Sequence, residues 1–246
     1  MNIKPLVMIP TYNEAQSIGP LIEALLRLPG GLEILVIDDR SPDGTGELVK
    51  RLGSPRVHIL EREEKKGLGP AYRAGISWAL EHPAFTHYVT MDGDGSHRPE
   101  DLMSMLARAR NVDVVMSSRW MPGGSIRNWP KYRQLISHMG TSYARKALKL
   151  PFSDLTGGFR VYSAHLVARL HIEAIESDGY CFQIEMIRAL RTADATFSEV
   201  PIIFTERALG RSKMTRSIVI EAFRKVTLWG WQTRFPNNAD KLHYVK

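Results

Sequence analysis

The chain has 246 residues, of which 43% are hydrophobic and 24% are charged, so it can bury a sizeable core and is not a disordered chain. No apolar run approaches the roughly 18 residues of a membrane-spanning helix, and the first apolar stretch ends at Pro10, too early for a signal peptide. The single cysteine, Cys181, excludes an internal disulfide framework and a multi-cysteine zinc site. We therefore expect a protein of the reducing cytoplasm.

The net charge of +7 is unevenly distributed. Residues 1–206 carry 24 basic and 24 acidic side chains, whereas residues 207–246 carry nine basic and two acidic ones. A second bias lies between Asp113 and Asp154, where there is no acidic residue. The bases in that stretch are Arg119, Arg127, Lys131, Arg133, Arg145, Lys146 and Lys149. Such a pattern indicates either a solvated basic face or a surface for an anionic substrate, a nucleic acid or a membrane.

The first half of the chain alternates short apolar runs with segments of helical spacing. In chain order the prediction is strand Leu6–Ile9, helix Glu14–Leu28, strand Glu33–Ile37, helix Thr45–Leu52, strand Val57–Leu60, helix Tyr72–Leu80, strand His87–Met91, helix Pro99–Arg108 and strand Asp113–Ser117. Strands that alternate with helices predict an α/β fold, with a mostly parallel sheet and helices on both faces.

The second half is less regular. The prediction continues with a long loop over 120–129, helix Tyr132–Leu150, strand Phe159–Tyr162, helix Cys181–Arg191, strand Phe197–Phe204 and helix Ser217–Trp231. The apolar side chains of the last helix fall in one broad arc. That arc is typical either of a helix that packs on the rest of the protein or of one that lies in a membrane interface.

Carboxylates follow two of the predicted strands. Asp38-Asp39 come after the second strand, and Asp92-Gly93-Asp94 come after the fourth. Ligands of open parallel sheets bind outside the carboxyl ends of the strands, so both groups are expected to face one crevice. Clustered carboxylates favour a hard cation such as Mg²⁺ or Mn²⁺. For Asp38-Asp39 a turn with a helix cap is the alternative interpretation.

Two further segments resemble parts of known ligand-binding sites. In the segment PTYNE, Tyr12 could stack on a base and Glu14 could accept a hydrogen bond from it, or Asn13 could cap a helix. Gly67-Leu68-Gly69 lacks the third glycine and the preceding buried strand of a dinucleotide fingerprint, which argues against an NAD site. The eight histidines show no metal-ligand spacing.

Taken together and in order, PTYNE, VIDDRSPDGT, KKGLGPAYRAG and MDGDGSHRPEDL resemble the family 2 glycosyltransferases. The segments SSR (117–119), DLTGGFRVY, GYCFQIEM and ERALGRSKM narrow the resemblance to the polyprenyl-phosphate (dolichol-phosphate) mannose synthase group, over roughly residues 5–215. The resemblance implies a nucleotide-diphosphosugar transferase fold, a GDP-mannose donor, a polyprenyl phosphate acceptor, Mg²⁺ or Mn²⁺ as cofactor, and inversion at the sugar carbon.

The resemblance also implies a set of donor-site residues. Those that would line the nucleoside pocket are Pro10, Tyr12, Glu14, Ile37 and Asp39. Asp92, Gly93 and Asp94 match the family's Asp-X-Asp motif, which holds the metal and the donor diphosphate. Ser96 falls where many members place glutamine as a further metal ligand, and serine is shorter. Arg207 and Lys213 match basic residues that reach the diphosphate.

On the acceptor side, Arg119, Arg133 and Ser137 match positions near the acceptor phosphate, within the acid-free stretch. A phosphate monoester is mostly a dianion at neutral pH, with a second pKa near ~6, and needs no strong general base. The resemblance therefore assigns the chemistry to Asp92, Asp94 and the two arginines. Asp154 is either a base or, as we favour, a residue that orients the loop 156–158.

These implications set the expected organisation and partners. Residues 1–215 would form the glycosyltransferase catalytic domain, and 216–246 a basic amphipathic helix and tail without a transmembrane segment. We expect a peripheral protein on the cytoplasmic face of a membrane, held by its tail or by a membrane anchor protein. A glucosyl or other family 2 sugar transferase is the nearest alternative. A non-catalytic nucleotide- or nucleic-acid-binding protein is the alternative from another class. The intact Asp-X-Asp motif and the segment ERALGRSKM argue against it, so we expect no specific nucleic acid partner. Retention of DNA would not support that alternative, because a basic chain binds polyanions non-specifically.

Overall fold

The computed structural model describes residues 3–206, 216–234 and 243–246, with the backbone alone described for residues 180, 216–220 and 233–234. Its strands are β1 (Pro5–Thr11), β2 (Glu33–Asp38), β3 (Val57–Glu61), β4 (His87–Thr90), β5 (Val114–Ser118), β6 (Ser125–Arg127), β7 (Arg160–Ser163), β8 (Phe197–Pro201) and β9 (Ile203–Thr205). Its α-helices are α1 (Ile18–Leu26), α2 (Thr45–Arg51), α3 (Leu68–Glu81), α4 (Asp101–Arg108), α5 (Lys131–Leu148), α6 (Ala164–Val167), α7 (Gly179–Thr192) and α8 (Arg216–Arg234).

The central sheet has seven strands in the order β3-β2-β1-β4-β7-β5-β8. Strands β1 to β4 pair in parallel, and so do β5 and β8. Strand β7 runs antiparallel between β4 and β5. The predicted mostly parallel sheet is therefore confirmed, and the antiparallel strand β7 is an addition that the alternating pattern did not predict.

Helices cover both faces of the sheet, as predicted. Along β1, Leu6 and Met8 point into one core with α3, α5, α7 and α8, whereas Val7 and Ile9 point into the other core with α1, α2 and α4. All four side chains are fully buried, and burying each contributes about 1.5–3 kcal/mol. The two cores therefore fix the sheet so that the carboxyl ends of β1, β2 and β4 lie side by side.

The predicted strand Phe197–Phe204 is wrong as one element. It divides into β8, at the edge of the main sheet, and β9, which pairs with β6 in a separate two-stranded sheet. The division falls after Pro201, which has no N–H to donate to a ladder, and Ile202 N–H instead reaches the carbonyl of Ser118 at 3.1 Å. The predicted loop 120–129 therefore contains a strand.

The first helix begins at Ile18 rather than at Glu14. Asn13 has a left-handed φ of 59°, and the Glu14 N–H donates to Thr45 Oγ1 at 3.0 Å, so this segment follows the loop before α2 instead of the helix axis. The interpretation in which Asn13 caps the first helix is therefore wrong, and Ser17 is at the N-cap position.

The apolar arc of α8 divides between two environments. Val226 is buried in the core, and Gly230 lies so close to α5 that a Cβ there would be 2.9 Å from the Ala147 carbonyl oxygen. Phe223, Leu228 and Trp231 are exposed. One side of the helix therefore packs on the protein, and another side presents apolar groups to the surroundings. None of the described helices has the length and apolar run needed to cross a bilayer.

Candidate active site

The carboxyl ends of β1, β2 and β4 meet as the sequence predicted. The Asp39 N–H donates to the Thr11 carbonyl at 3.1 Å, which joins β2 to β1. The Ser17 hydroxyl lies 2.9 Å from the Gly93 carbonyl oxygen and 3.0 Å from Glu14 Oε2, which joins the segment after β1 to the segment after β4. The segments after β1, β2 and β4, which carry the predicted Glu14, Asp39 and Gly93, thus lie together.

The two neighbouring aspartates after β2 differ in their surroundings. Asp38 Oδ1 accepts from the hydroxyls of Thr11 at 2.8 Å and Ser41 at 2.6 Å, so the turn interpretation holds for Asp38. Asp39 accepts from Arg62 Nη1 at 2.6 Å. Burial raises the pKa of Asp39, and the Arg62 charge opposes that rise without cancelling it. Asp39 is therefore held by the segment after β3, through Arg62 and the backbone of Lys66, rather than by the turn that holds Asp38.

The segment after β3 forms an unpredicted wall beside Tyr12. Lys65 Nζ lies 4.0 Å from the centre of the Tyr12 ring, and Arg62 on the same segment binds Asp39. The charged sequence before Gly67 gave no sign of this contact. Ile37, by contrast, was expected to line the pocket, but its side chain is fully buried in the core against α3, where Gly75 leaves room for it.

Asp92 and Asp94 form the candidate metal centre. The Asp92 side chain is 35% exposed, and Asp94 Oδ1 accepts from the Ser96 N–H at 3.0 Å. Gly158 keeps space beside Asp92, because a Cβ there would be 3.3 Å from Asp92 Oδ1. Ser96 Oγ is buried without a hydrogen-bond partner among the described residues, so an oxygen ligand remains available beneath the carboxylates.

These donors fit a hard cation. Among the described residues no group of three His, Cys, Asp or Glu side chains could complete a metal site by itself. Mg²⁺ is commonly held by one or two carboxylates together with substrate phosphates, and a pair of aspartates in a crevice meets that requirement.

His97 supports this centre and was not predicted. Its Nδ1 lies 3.3 Å from the Asp92 N–H and accepts from it, and its ring lies between Phe159, at 5.1 Å, and Phe204, at 5.4 Å. Burial lowers the pKa of His97, so the ring is neutral and Nδ1 is free to accept. A search for metal-ligand spacing misses such a residue, because it acts on the backbone of Asp92.

Arg119 is held by Asp154. Arg119 Nε donates to Asp154 Oδ2 at 2.6 Å and Nη2 donates to Oδ1 at 2.9 Å. The N–H groups of Thr156 and Gly157 also donate to Asp154 Oδ1, each at 3.2 Å. Burial alone would raise the pKa of Asp154, but the Arg119 charge and these hydrogen bonds outweigh it and lower the pKa. Of the two interpretations of Asp154, the geometry fits the orienting role.

Arg133 and Arg119 both lie close to the Trp129 ring. The guanidinium carbons of Arg133 and Arg119 are 4.7 and 5.6 Å from the centre of that ring. Arg133 Nη1 forms an ion pair with Glu206, and Arg119 also lies 5.3 Å from the Phe204 ring. Trp129, Phe204 and Glu206 were not predicted to lie at this site. Glu206 is 73 residues from Arg133 in the sequence, so no local pattern links these two residues.

A cleft leads from the two guanidinium groups between α5 and α8. The predicted acceptor residue Ser137 lies in it, with mostly apolar neighbours. The lining is Arg119, Trp129, Arg133, Ile136, Ser137, Gly140, Tyr143, Ala144, Thr156, Ile184, Ala222, Phe223 and Val226. The cleft thus has a cationic end and an apolar length. The remaining predicted residues, Arg207 and Lys213, lie outside the described residues.

The fold is that of the nucleotide-diphosphosugar transferases. Two solved structures of glucosyl-3-phosphoglycerate synthase from Mycobacterium tuberculosis resemble it, one in complex with Mn²⁺, UDP and glucosyl-3-phosphoglycerate and one with Mg²⁺ and UDP. Their TM-scores are 0.63 and 0.64 at 17% and 18% identity, over 94% of this chain and 80% and 79% of theirs.

The chain belongs to glycosyl transferase family 2, whose family model matches residues 6–170. It is 43% identical to an undecaprenyl-phosphate mannosyltransferase from Micrococcus luteus, over 95% of this chain and 96% of that protein. It is 41% identical to a polyprenol monophosphomannose synthase from Mycolicibacterium smegmatis, over 94% of this chain and 88% of that protein. The predicted family is therefore confirmed.

Proposed function

We propose that this protein transfers mannose from GDP-mannose to a polyprenyl phosphate, giving polyprenyl-phosphate mannose and GDP. The observation that carries the proposal is the cleft between α5 and α8, because it joins a pair of arginines to an apolar channel. A lipid phosphate has the same two parts. Its anionic head matches Arg119 and Arg133, and its isoprenoid chain matches the apolar lining. The names of the two relatives support the sugar and the acceptor.

The donor would lie at the carboxyl ends of β1, β2 and β4. Tyr12, whose ring centre lies 4.0 Å from Lys65 Nζ, is proposed to stack on the base, and Asp39, beside Arg62, to accept from ring or ribose donors. Asp92 and Asp94, with Ser96 beneath them, would hold Mg²⁺ or Mn²⁺, which stabilises the charge of the leaving diphosphate. Arg207 and Lys213 are proposed to bind the same diphosphate.

The donor and acceptor sites are joined by packed rings. His97 contacts the Asp92 backbone, the Phe204 ring lies against His97, and Arg119 lies against Phe204. An acceptor phosphate on Arg119 and Arg133 would therefore sit beside the donor diphosphate. Both groups are anionic, so the guanidinium groups are needed to offset their repulsion.

The reaction then requires no strong base. A phosphate oxygen of the acceptor forms a bond to the anomeric carbon, and the bond from that carbon to the β-phosphate oxygen of GDP breaks. Attack opposite the leaving group inverts the anomeric carbon. Asp154 is engaged by Arg119 and two backbone N–H groups, so its role is to hold the acceptor arginine.

We also propose a peripheral position on the cytoplasmic face of a membrane. Helix α5 exposes Tyr132, Leu135, Ile136 and Met139, which lie on one helix face. Helix α8 exposes Phe223, Leu228 and Trp231, and the Phe223 ring stacks on Tyr143 of α5. Ile136 and Phe223 also line the acceptor cleft, so the apolar surface is continuous with the path of the lipid chain. The expected membrane surface therefore includes α5 as well as the basic tail. A membrane anchor protein seated on this surface is the alternative.

Donor competition tests the function. Purified protein with Mn²⁺ or Mg²⁺ and a short polyprenyl phosphate would be offered GDP-mannose, UDP-glucose and UDP-GlcNAc. Transfer of mannose alone supports the proposal. Turnover of a UDP-sugar without turnover of GDP-mannose would overturn the donor assignment and favour the glucosyl or other sugar transferase.

A further inference from the structure

We infer that Glu206 occupies the acceptor-phosphate position on Arg133 while the acceptor is absent, and that the incoming phosphate displaces it. The inference rests on the proposed function, because it concerns the same acceptor site. Its starting observation is the ion pair between the Glu206 carboxylate and Arg133 Nη1 at the mouth of the cleft. A carboxylate on a guanidinium group occupies the place that a phosphate oxygen needs.

The two arginines of the site are held in different ways. The side chains of Arg119 and Asp154 are 6% and 0% exposed, so opening that pair would leave a charge buried without a partner. The side chains of Arg133 and Glu206 are 17% and 28% exposed, so water reaches the carboxylate once it is released. We therefore expect Arg133, but not Arg119, to exchange its carboxylate partner for the acceptor phosphate.

Displacement needs little movement of the protein. Arg133 also packs on the Trp129 ring, with its guanidinium carbon 4.7 Å from the ring centre, and this contact does not involve Glu206. The Glu206 N–H donates to the Arg127 carbonyl at 3.0 Å, and the preceding Thr205 N–H donates to the Ser96 carbonyl at 3.1 Å. The backbone of Glu206 is thus fixed, and the exchange is a rotation of its side chain.

The charges favour the exchange when acceptor is present. A phosphate monoester carries close to two negative charges at neutral pH, and it binds an arginine through two parallel hydrogen bonds. Glu206 carries one negative charge. Before the acceptor binds, Glu206 keeps the guanidinium group of Arg133 paired and oriented. Once Glu206 is displaced, the phosphate would lie between Arg119 and Arg133.

The test is Glu206→Gln, which keeps the shape of the side chain and removes its charge. We expect the KM for geranyl phosphate, a short prenyl phosphate, to fall about fivefold, since a partly exposed competing ion pair is lost. The KM for GDP-mannose should not change. A merely structural Glu206 would instead lower kcat or the melting temperature and leave the acceptor KM equal or raised, which would overturn the inference.

A double-mutant cycle separates competition from general charge. In an Arg133→Gln background, Glu206→Gln should no longer lower the acceptor KM, because the group for which it competes is gone. Glu81→Gln, an exposed site at the end of α3 with the same charge change, is the matched control and should have no effect. A fivefold effect that persists without Arg133 would contradict the exchange.

Calorimetric binding of geranyl phosphate without donor keeps the two proposals apart. Glu206→Gln, or Glu206→Ala should the first variant fold poorly, is expected to bind it more tightly than the natural protein. If the natural protein uses geranyl phosphate and neither variant binds it more tightly, the inference is wrong and the function stands. If no prenyl phosphate is bound or turned over at all, the proposed function falls first.

Discussion

Arg119 and Asp154 form a two-point, fully buried ion pair, with Nε to Oδ2 at 2.6 Å and Nη2 to Oδ1 at 2.9 Å. The same carboxylate accepts from the N–H groups of Thr156 and Gly157. The next residue in the chain, Gly158, lies beside the Asp92 carboxylate. One carboxylate therefore fixes both Arg119 and the loop beside Asp92.

Asp154→Asn should weaken acceptor use and the fold together. Removing one partner of a buried ion pair typically costs about 3–5 kcal/mol in the free energy of unfolding. We expect a higher KM for polyprenyl phosphate and a nearly unchanged KM for GDP-mannose, measured by steady-state kinetics with a melting curve alongside. If Asp154 were the general base, kcat would collapse while the acceptor KM stayed constant.

The same pair predicts a pH dependence of stability. The pKa of Asp154 is lowered on folding, so as the pH falls the unfolded chain takes up its proton first, near ~4. The contribution of Asp154 is complete above that pH and is lost as the pH falls towards the folded pKa. In urea unfolding between about pH 6 and 3, the stability difference between the natural protein and Asp154→Asn should therefore shrink as the pH falls.

Other carboxylates do not disturb that comparison. The pKa values of Glu33 and Asp43 are also lowered, by partners such as His58 and Thr45 once the opposing effect of burial is overcome, but both proteins contain them. A stability difference that stayed constant over the whole pH range would show that folding does not lower the pKa of Asp154.

Asp92→Asn and Asp94→Asn should each abolish turnover without unfolding the protein, because they remove carboxylates that would hold the cation. The stabilisation that Mn²⁺ with GDP gives to the natural protein should also disappear, as measured by the shift in melting temperature. Asp194→Asn is the matched control: it is exposed, and asparagine suits its φ of 61° equally well. Full activity in EDTA would refute the metal centre.

Arg133→Gln and Lys213→Ala should separate the two substrates. A hydrogen bond to a charged group is worth about 1.5–3 kcal/mol, so loss of Arg133 should raise the acceptor KM about 10- to 150-fold and leave GDP affinity unchanged. Lys213→Ala should do the reverse. Equal losses of nucleotide binding in both variants would show that the division of the basic residues is wrong.

Leu135→Gln with Met139→Gln should reduce binding to anionic vesicles. Both side chains are about three-fifths exposed, at 60% and 62%, and neither lines the acceptor cleft. Activity on a water-soluble acceptor should be retained. Leu52→Gln, an exposed leucine at the end of α2, is the control and should bind vesicles normally.

Charge on α8 offers an independent arm of that experiment. Arg224 is exposed, whereas Lys225 donates to Ser177 Oγ at 2.9 Å and pairs with Glu221 at 3.3 Å, so Lys225 belongs to the fold. Arg224→Glu alone should therefore weaken vesicle binding and reduce its salt dependence, because each basic residue near an anionic surface contributes about 1 kcal/mol of attraction that salt screens. Vesicle binding insensitive to salt and to all these substitutions would place the surface against a protein partner.

The sequence by itself determined the α/β fold and the donor crevice. Parallel strands with apolar cores carry whatever follows them to one edge, so Asp39, Asp92 and Asp94 could be placed together from strand pattern alone. The acid-free stretch likewise marked a basic region of seven residues, within which the family resemblance singled out Arg119 and Arg133. These features are local in sequence, and their arrangement follows from the geometry of any such sheet.

Only the tertiary structure decided which groups hold those residues. Asp154 meets Arg119 across 35 residues, and Glu206 meets Arg133 across 73, through the antiparallel strand β7 and the small sheet of β6 and β9. No periodicity encodes either contact, because each depends on where a connection crosses the sheet. Ile37 is a different case: its side chain enters the core because it packs against Gly75 of α3, a contact between segments far apart in the sequence. Long-range packing, which the chain pattern does not record, therefore lowers the pKa of Asp154 and sets the partners of Arg119 and Arg133.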